Sequence, residues 1–136
     1  MNETERLVLP LALRRRIIDH ARAEAPRECC GFIAGHGNVA TRVLPATNAA
    51  DQPEVRYTIK ETRWVFDIED AGEELVGIYH SHPRSPAYPS PTDRRQASWP
   101  EAFYVLVSLR DPARAPELYA YRIKDHEAVA EVDVVE

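Results

Sequence analysis

The sequence predicts an α/β or α+β domain, in which a mixed central β-sheet is flanked by two main helices and one short helix. Two observations carry this prediction. Apolar residues recur at helical spacing from Pro10 to Glu24. Several short runs rich in β-branched and aromatic residues follow, and one of them, Phe103 to Leu109, lacks polar alternation, as a strand covered on both faces does. At 136 residues the chain is expected to form a single domain over 1–136.

The first half of the chain opens with a short strand and a long helix, which Pro26 ends. A strand, a turn and a return strand then form a hairpin, and a second short strand and a helix follow a polar loop. The predicted elements are, in order, strand Leu7 to Leu9, helix Pro10 to Glu24, strand Glu28 to Ala34, turn Gly35 to Asn38, strand Val39 to Leu44, loop Asn48 to Glu54, strand Tyr57 to Ile59 and helix Glu61 to Ala71.

The second half begins with the apolar run Leu75 to Tyr79, which predicts a buried strand that carries His80 and His82 at its end and stops at Pro83. Ser90-Pro91-Thr92-Asp93 predicts the start of a short helix, with Ser90 as its N-cap, and Pro100 ends that helix. Three further strands are predicted over Phe103 to Leu109, Glu117 to Ile123 and Ala128 to Val135.

Charge and composition narrow the function classes. Seventeen basic against 22 acidic residues give a net charge of −5, which disfavours a nucleic-acid partner. No apolar run approaches the roughly 20 residues of a membrane span, and Met1 to Arg6 is polar, so we expect a cytoplasmic protein. Cys29 and Cys30 are adjacent, which excludes a disulfide framework and favours simple packing. The lone histidines His20, His36 and His126 are expected at the surface.

One stretch contains a candidate metal centre. His80 and His82 are two apart on a strand, so their imidazoles share a face. Asp93 follows after a proline-rich loop and supplies a third candidate ligand, the number that a catalytic zinc site uses. Two alternatives stay open: Ser90 and Asp93 only cap a helix while the histidines sit in the core, or the triad holds iron.

A hydrolytic site also needs a proton acceptor. Glu28 is the best candidate, because it is an acidic residue that opens an otherwise apolar strand. The alternative is an exposed charge at the end of that strand.

Together, Glu28 and the spacing His80-Ser81-His82, seven residues, Ser90, two residues, Asp93 resemble the signature of the JAMM/MPN+ metallopeptidases. The resemblance extends over most of the chain and is greatest to the short bacterial Mec-type enzymes. It implies the cytidine-deaminase-like MPN fold, Zn²⁺ bound by His80, His82 and Asp93, Glu28 as general base and Ser90 as a donor to the oxyanion. Ser81, on the opposite face of its strand, is expected to be structural.

The resemblance also implies a partner: a ubiquitin-like sulfur-carrier protein, cut after its C-terminal Gly-Gly, with no nucleic acid and no membrane. The chain is short, so a simple adduct such as cysteine is expected, while the oligomeric state stays open. Two rival functions remain, a non-catalytic MPN-type interaction module and a RadC-like DNA-associated protein.

Overall fold

A mixed β-sheet organises the chain in the computed structural model, which describes residues 5–61 and 63–136. The strands are β1 (Arg6–Val8), β2 (Cys30–His36), β3 (Val39–Ala46), β4 (Glu74–His82), β5 (Phe103–Ser108), β6 (Glu117–Lys124) and β7 (Ala128–Val135). The helices are α1 (Leu11–Glu24), α2 (Arg63–Asp70) and α3 (Pro91–Gln96). The predicted mixed sheet with two main helices and one short helix is confirmed. The first four residues of the predicted polar N-terminus and Thr62 of the second predicted helix lie outside the described residues.

The strands close into a barrel in the order β1-β3-β2-β4-β5-β6-β7, which the sequence did not predict. Closure depends on β1, which pairs in parallel with β7 along its whole length and with β3 at Val8 and Val39. A three-residue strand can join two distant strands in this way because each of its two edges carries backbone N–H and C=O groups.

Strand β4 lies at the centre of the sheet. It runs antiparallel to β2, where Cys30 faces His80, and parallel to β5, where His80 faces Leu106. A parallel pair needs a crossover connection, and the proline-rich loop with α3 provides it. The strand that follows Glu28 therefore lies directly beside the strand that carries both histidines.

Side chains on the two faces of the sheet form separate cores. Helix α1 packs Ile17 and Ala21 onto one face, and α2 contributes Ile68 to the other. Among the described residues no helix is long and apolar enough to cross a membrane. Cys29 and Cys30 are buried and unbridged, and burial raises the pKa of each thiol to about 12, in agreement with the packing interpretation.

Four predictions about local structure were wrong. The short helix α3 ends at Gln96, with Ala97 as its C-cap, and not at Pro100. Tyr57 to Ile59 is not a strand, because the amide of Asn48 accepts the Thr58 N–H and holds the segment as a loop. Glu28 precedes β2 instead of opening it. His20 is half-buried and not at the surface, because its Nδ1 lies 2.8 Å from the hydroxyl of buried Tyr79.

Candidate active site

His80 and His82 lie at the C-terminal end of β4. Both side chains are buried and lie on the same face, as their two-residue spacing predicts. Their Nε2 atoms approach to 3.2 Å. The ring of Tyr57, from the loop before α2, stacks on His80 with centroids 4.4 Å apart. The positions of the two imidazoles are therefore fixed by β4 itself and, for His80, also by the ring of Tyr57.

Asp93 reaches the histidines from the first turn of α3. Its Oδ2 lies 3.1 Å from His80 Nε2 and 3.0 Å from His82 Nε2. The same oxygen accepts the Ser90 N–H at 2.9 Å, while Ser90 Oγ accepts the Asp93 N–H at 3.0 Å, which completes a capping box. The carboxylate that caps the helix is thus the same one that meets both histidines. The cap holds the oxygen in the position that a metal ligand needs.

The three atoms suit a metal ion. Their separations of 3.0, 3.1 and 3.2 Å are close to the spacing of roughly 3.3 Å between tetrahedral ligands about 2.0–2.1 Å from zinc. His82 Nδ1 lies 2.7 Å from the Pro86 carbonyl, which selects the tautomer with a free Nε2 lone pair. His80 Nδ1, by contrast, is buried with no hydrogen-bond partner among the described residues. The donor set of two imidazoles and one carboxylate fits zinc and also a non-haem iron site.

Charge at the site also favours ligation. Burial raises the pKa of Asp93, but His80, His82 and the Ser90 N–H outweigh burial and hold that pKa well below its usual range. Burial lowers the pKa of His80. Burial has the same effect on His82, but its hydrogen bonds to Asp93 and to the Pro86 carbonyl raise its pKa overall. An ionised Asp93 and a neutral His80 are the protonation states that bind metal.

Glu28 lies beside the histidines, as the side-by-side packing of β2 and β4 requires. Ligand atoms of Glu28, His80 and His82 fall within 4.8 Å of one another. Burial raises the pKa of Glu28 to about 8, and its Oε1 is buried with no hydrogen-bond partner among the described residues. Glu28 is thus a buried carboxylate near the metal-binding atoms, not the exposed charge that was the alternative. The 4.8 Å grouping also admits Glu28 as a direct ligand, but Asp93 Oδ2 lies much closer to both histidines.

Backbone hydrogen bonds fix the position of Glu28. Ser81 Oγ accepts the Cys29 N–H at 2.8 Å, and the Ser81 N–H donates to the Cys29 carbonyl at 3.1 Å. Ser81 therefore joins the segment next to Glu28 to β4, which is the structural role expected of it. On the other side, the Glu28 N–H donates to the Pro53 carbonyl at 2.7 Å.

Asn48 is a positioning residue that sequence reasoning placed only in a polar loop. Its buried amide donates to the carbonyls of Glu28, Pro53 and Arg56, and its Oδ1 accepts the N–H groups of Ala50 and Thr58. These bonds join the backbone of Glu28 to the loop that carries Tyr57. Because the contacts span up to 20 positions, no local sequence pattern reveals them.

A small cavity of about 230 Å³ opens onto this site. Its lining includes Glu28, His82 and Ser90, so the predicted base, one predicted ligand and the predicted hydroxyl donor line one space. The Ser90 hydroxyl accepts a bond from the Asp93 N–H, which leaves its own hydrogen available to a substrate oxygen. A larger cavity of about 1200 Å³ lies elsewhere, around Glu5 and Arg122, and contains none of these groups.

With this geometry established, comparison with known families is informative. Residues 10–124 match the family of prokaryotic homologues of the JAB domain. The chain belongs to this family. The predicted resemblance to JAMM/MPN+ proteins is therefore confirmed.

Relatives of this JAB-domain chain include peptidases. It is 44% identical over 135 residues to the CysO-cysteine peptidase of Mycobacterium tuberculosis, covering 96% of this chain and 92% of that protein. It is 41% identical over 114 residues to a desampylase of Haloferax volcanii, covering 77% and 82% of the two chains. The prediction of a hydrolase is confirmed by these relatives.

The JAB-domain fold is also confirmed by solved structures. A JAB1/MPN domain protein from Archaeoglobus fulgidus superposes with a TM-score of 0.61 at 17% identity, over 98% of this chain and 100% of that one. At that identity the similarity shows the fold alone. The predicted MPN-type architecture is thus correct, with the sheet closed as a barrel.

Proposed function

We propose that the chain is a zinc-dependent peptidase that hydrolyses the bond after the C-terminal Gly-Gly of a ubiquitin-like carrier protein. The observation that carries the proposal is the meeting of three ligand atoms, from His80, His82 and Asp93, beside the buried carboxylate of Glu28. A capped helix alone would account for Ser90 and Asp93, but not for a buried, unpaired Glu28 beside two histidines. The cytoplasmic location and the single domain remain predictions.

In this proposal His80 Nε2, His82 Nε2 and Asp93 Oδ2 hold the metal. When bound, zinc supplies a Lewis acid that makes water more acidic and polarises a carbonyl group. Glu28 accepts a proton from the attacking water and later donates it to the leaving nitrogen. Burial raises the pKa of Glu28 to about 8 in the metal-free protein, so this carboxylate is a stronger base than an exposed one. The Ser90 hydroxyl donates to the carbonyl oxygen as negative charge develops there.

Two openings beside the histidines suit an extended substrate. The cavity of about 230 Å³ contains Glu28 and His82. An apolar groove of about 560 Å³ lies on the side of Tyr57, which both lines the groove and stacks on His80, and Phe32, Phe66 and Trp99 also line it. We assign the carrier's tail to the groove and the leaving group to the cavity, because the leaving nitrogen must lie next to Glu28. Two glycines at the cut allow the backbone to approach the buried histidines closely.

The relatives support this substrate class. One is named for a CysO-cysteine substrate and others are desampylases or a probable protease that cleaves TtuB-protein conjugates. We therefore infer that the substrate of this chain is a carrier protein whose C-terminal glycine is joined to an amino group.

The test uses a ubiquitin-like carrier protein that ends in Gly-Gly, extended at its C-terminus by one or a few residues. Zinc-loaded protein should reduce the carrier's mass by that of the extension, and mass spectrometry should show a carrier that ends in Gly-Gly. Glu28→Gln should keep its zinc and slow cleavage by about 10²–10⁴-fold. Glu127→Gln, at an exposed turn, is the matched control and should cleave normally. An extension that stays intact with zinc-loaded wild-type protein would contradict the proposed function.

A further inference from the structure

The cavity that Glu28 lines has further charged residues in its lining. Besides Glu28, His82 and Ser90, its lining consists of Glu54, Val55, Pro83, Arg84 and Ser85. Arg84 is the one lysine or arginine among these residues. It is exposed, and it takes part in none of the ion pairs that the structure shows among residues 5–61 and 63–136. A free guanidinium thus lines the space next to the proposed base in a protein of net charge −5.

The neighbouring arginine differs from Arg84 in both respects. Arg114 lines an adjacent cavity of about 450 Å³ together with Arg84 but does not line the active-site cavity. It also has a partner, because its Nε lies 3.4 Å from Asp111 Oδ2. Arg84 is therefore the guanidinium that remains available to an anion entering beside Glu28.

The volume of the cavity limits the size of the molecule that carries this anion. Pockets for drug-sized ligands are roughly 300–1,000 Å³, so a cavity of about 230 Å³ has room for a single small residue and not for a folded protein. A residue joined through its amino group to the carrier, and ending there, has one free α-carboxylate. With the leaving group placed in this cavity, that carboxylate shares the space that Arg84 lines.

We propose that Arg84 binds the α-carboxylate of a single C-terminal amino acid and thereby makes the chain selective for carriers with a one-residue adduct; this rests on the proposed function. Hydrolysis adds the water oxygen to the glycine carbonyl carbon and breaks its bond to nitrogen. The proton held by Glu28 passes to that nitrogen, which leaves as the amine of a free amino acid. Glu54, which also lines the cavity, complements the ammonium group of that product. A guanidinium suits the carboxylate because its planar fork can donate two parallel hydrogen bonds.

The test compares two forms of the same carrier, extended after Gly-Gly by one alanine that ends either in a free carboxylate or in a carboxamide. Wild-type zinc-loaded protein should cleave the acid with a kcat/KM about tenfold higher than the amide, chiefly through a lower KM. In Arg84→Ala the ratio should fall to near one. Arg84→Lys, which keeps the charge but loses the fork, should restore part of the ratio.

Arg114→Ala is the matched control and should keep the wild-type ratio. Because Arg84 is exposed, its variants should have the same melting temperature as the wild type, and a thermal denaturation curve checks this. Equal cleavage of acid and amide by the wild type would overturn the inference and leave the proposed peptidase function intact. An unchanged acid-to-amide ratio of kcat/KM in Arg84→Ala would show that Arg84 does not bind the carboxylate. Failure to cleave either form would instead count against the proposed function itself.

Discussion

Asp93 combines a helix cap with a position suited to metal binding. Its Oδ2 accepts the Ser90 N–H that caps α3 and also meets the Nε2 atoms of both histidines. The sequence predicted both roles, because a capping box and a ligand spacing overlap in the same four residues. It could not predict that a single oxygen performs both, since that depends on the angle at which α3 leaves the loop.

Glu28 shows the opposite case, in which sequence pattern alone was not decisive. An acidic residue next to an apolar strand is usually exposed, so the pattern made Glu28 only a candidate proton acceptor and left an exposed charge as the alternative. In the structure its burial follows from the pairing of β2 with β4 and from the Asn48 amide, both of which are long-range contacts.

Burial of Glu28 predicts a pH-dependent cost in the metal-free protein. Its folded pKa is raised to about 8, above the ordinary value of 4.5, so the stability it contributes is complete below about pH 4.5 and is lost as pH rises through about 8. The side chain introduced by Glu28→Gln does not titrate, so the stability advantage of this variant over the wild type should grow by on the order of 3 kcal/mol between pH 5 and pH 8. Urea unfolding in the presence of a chelator measures this difference. Glu127→Gln controls for removal of one carboxylate, and a Glu28→Gln difference that stays constant between pH 5 and pH 8 would rule out a buried, protonated Glu28.

At the scale of elements, α3 is short, and its first turn determines the site. Ser90→Ala removes the cap, which should destabilise the protein by about 0.5–2 kcal/mol. It also removes the proposed donor to the carbonyl oxygen, so kcat should fall by about 10²–10³-fold. Denaturant titration and steady-state kinetics on the extended carrier measure the two effects. Thr92→Ala, two residues later in the same helix, should leave kcat unchanged; a Ser90→Ala enzyme with wild-type kcat would limit Ser90 to capping.

The loop between β3 and α2 is the second element that determines the site, and its order depends on Asn48. Asn48→Ala leaves the carbonyls of Glu28 and Arg56 and the Thr58 N–H without their partner, which should cost about 1–3 kcal/mol. Because the same bonds connect Glu28 to the Tyr57 loop, kcat should fall as well. Asn38→Ala, which loses one exposed hydrogen bond to the Arg6 carbonyl, is the control. If both variants unfold at the same urea concentration, Asn48 does not hold the loop.

Across the whole molecule, the order of strands and helices was predictable and the closure of the sheet was not. Helical spacing in α1, the hairpin turn between β2 and β3, and the apolar runs of β4 and β5 each leave a local pattern in the sequence. Barrel closure depends on β1 pairing with β7, at positions such as Arg6 and Asp133 that lie at opposite ends of the chain. The same limit applies to the site. The predicted ligands fall within one stretch, so their grouping could be predicted, whereas Asn48 and Tyr57 approach from a distant loop and were not assigned to the site.

The ligand set is tested most directly by X-ray absorption at the metal edge, with elemental analysis of protein purified without added metal. We expect one zinc per chain, bound by two imidazoles and oxygen ligands at about 2.0–2.1 Å, with the same spectrum in Glu28→Gln and a changed spectrum in Asp93→Asn. Stoichiometric iron without zinc, no bound metal, or a spectrum that changes in Glu28→Gln and not in Asp93→Asn would contradict a zinc site of His80, His82 and Asp93 with Glu28 as its base.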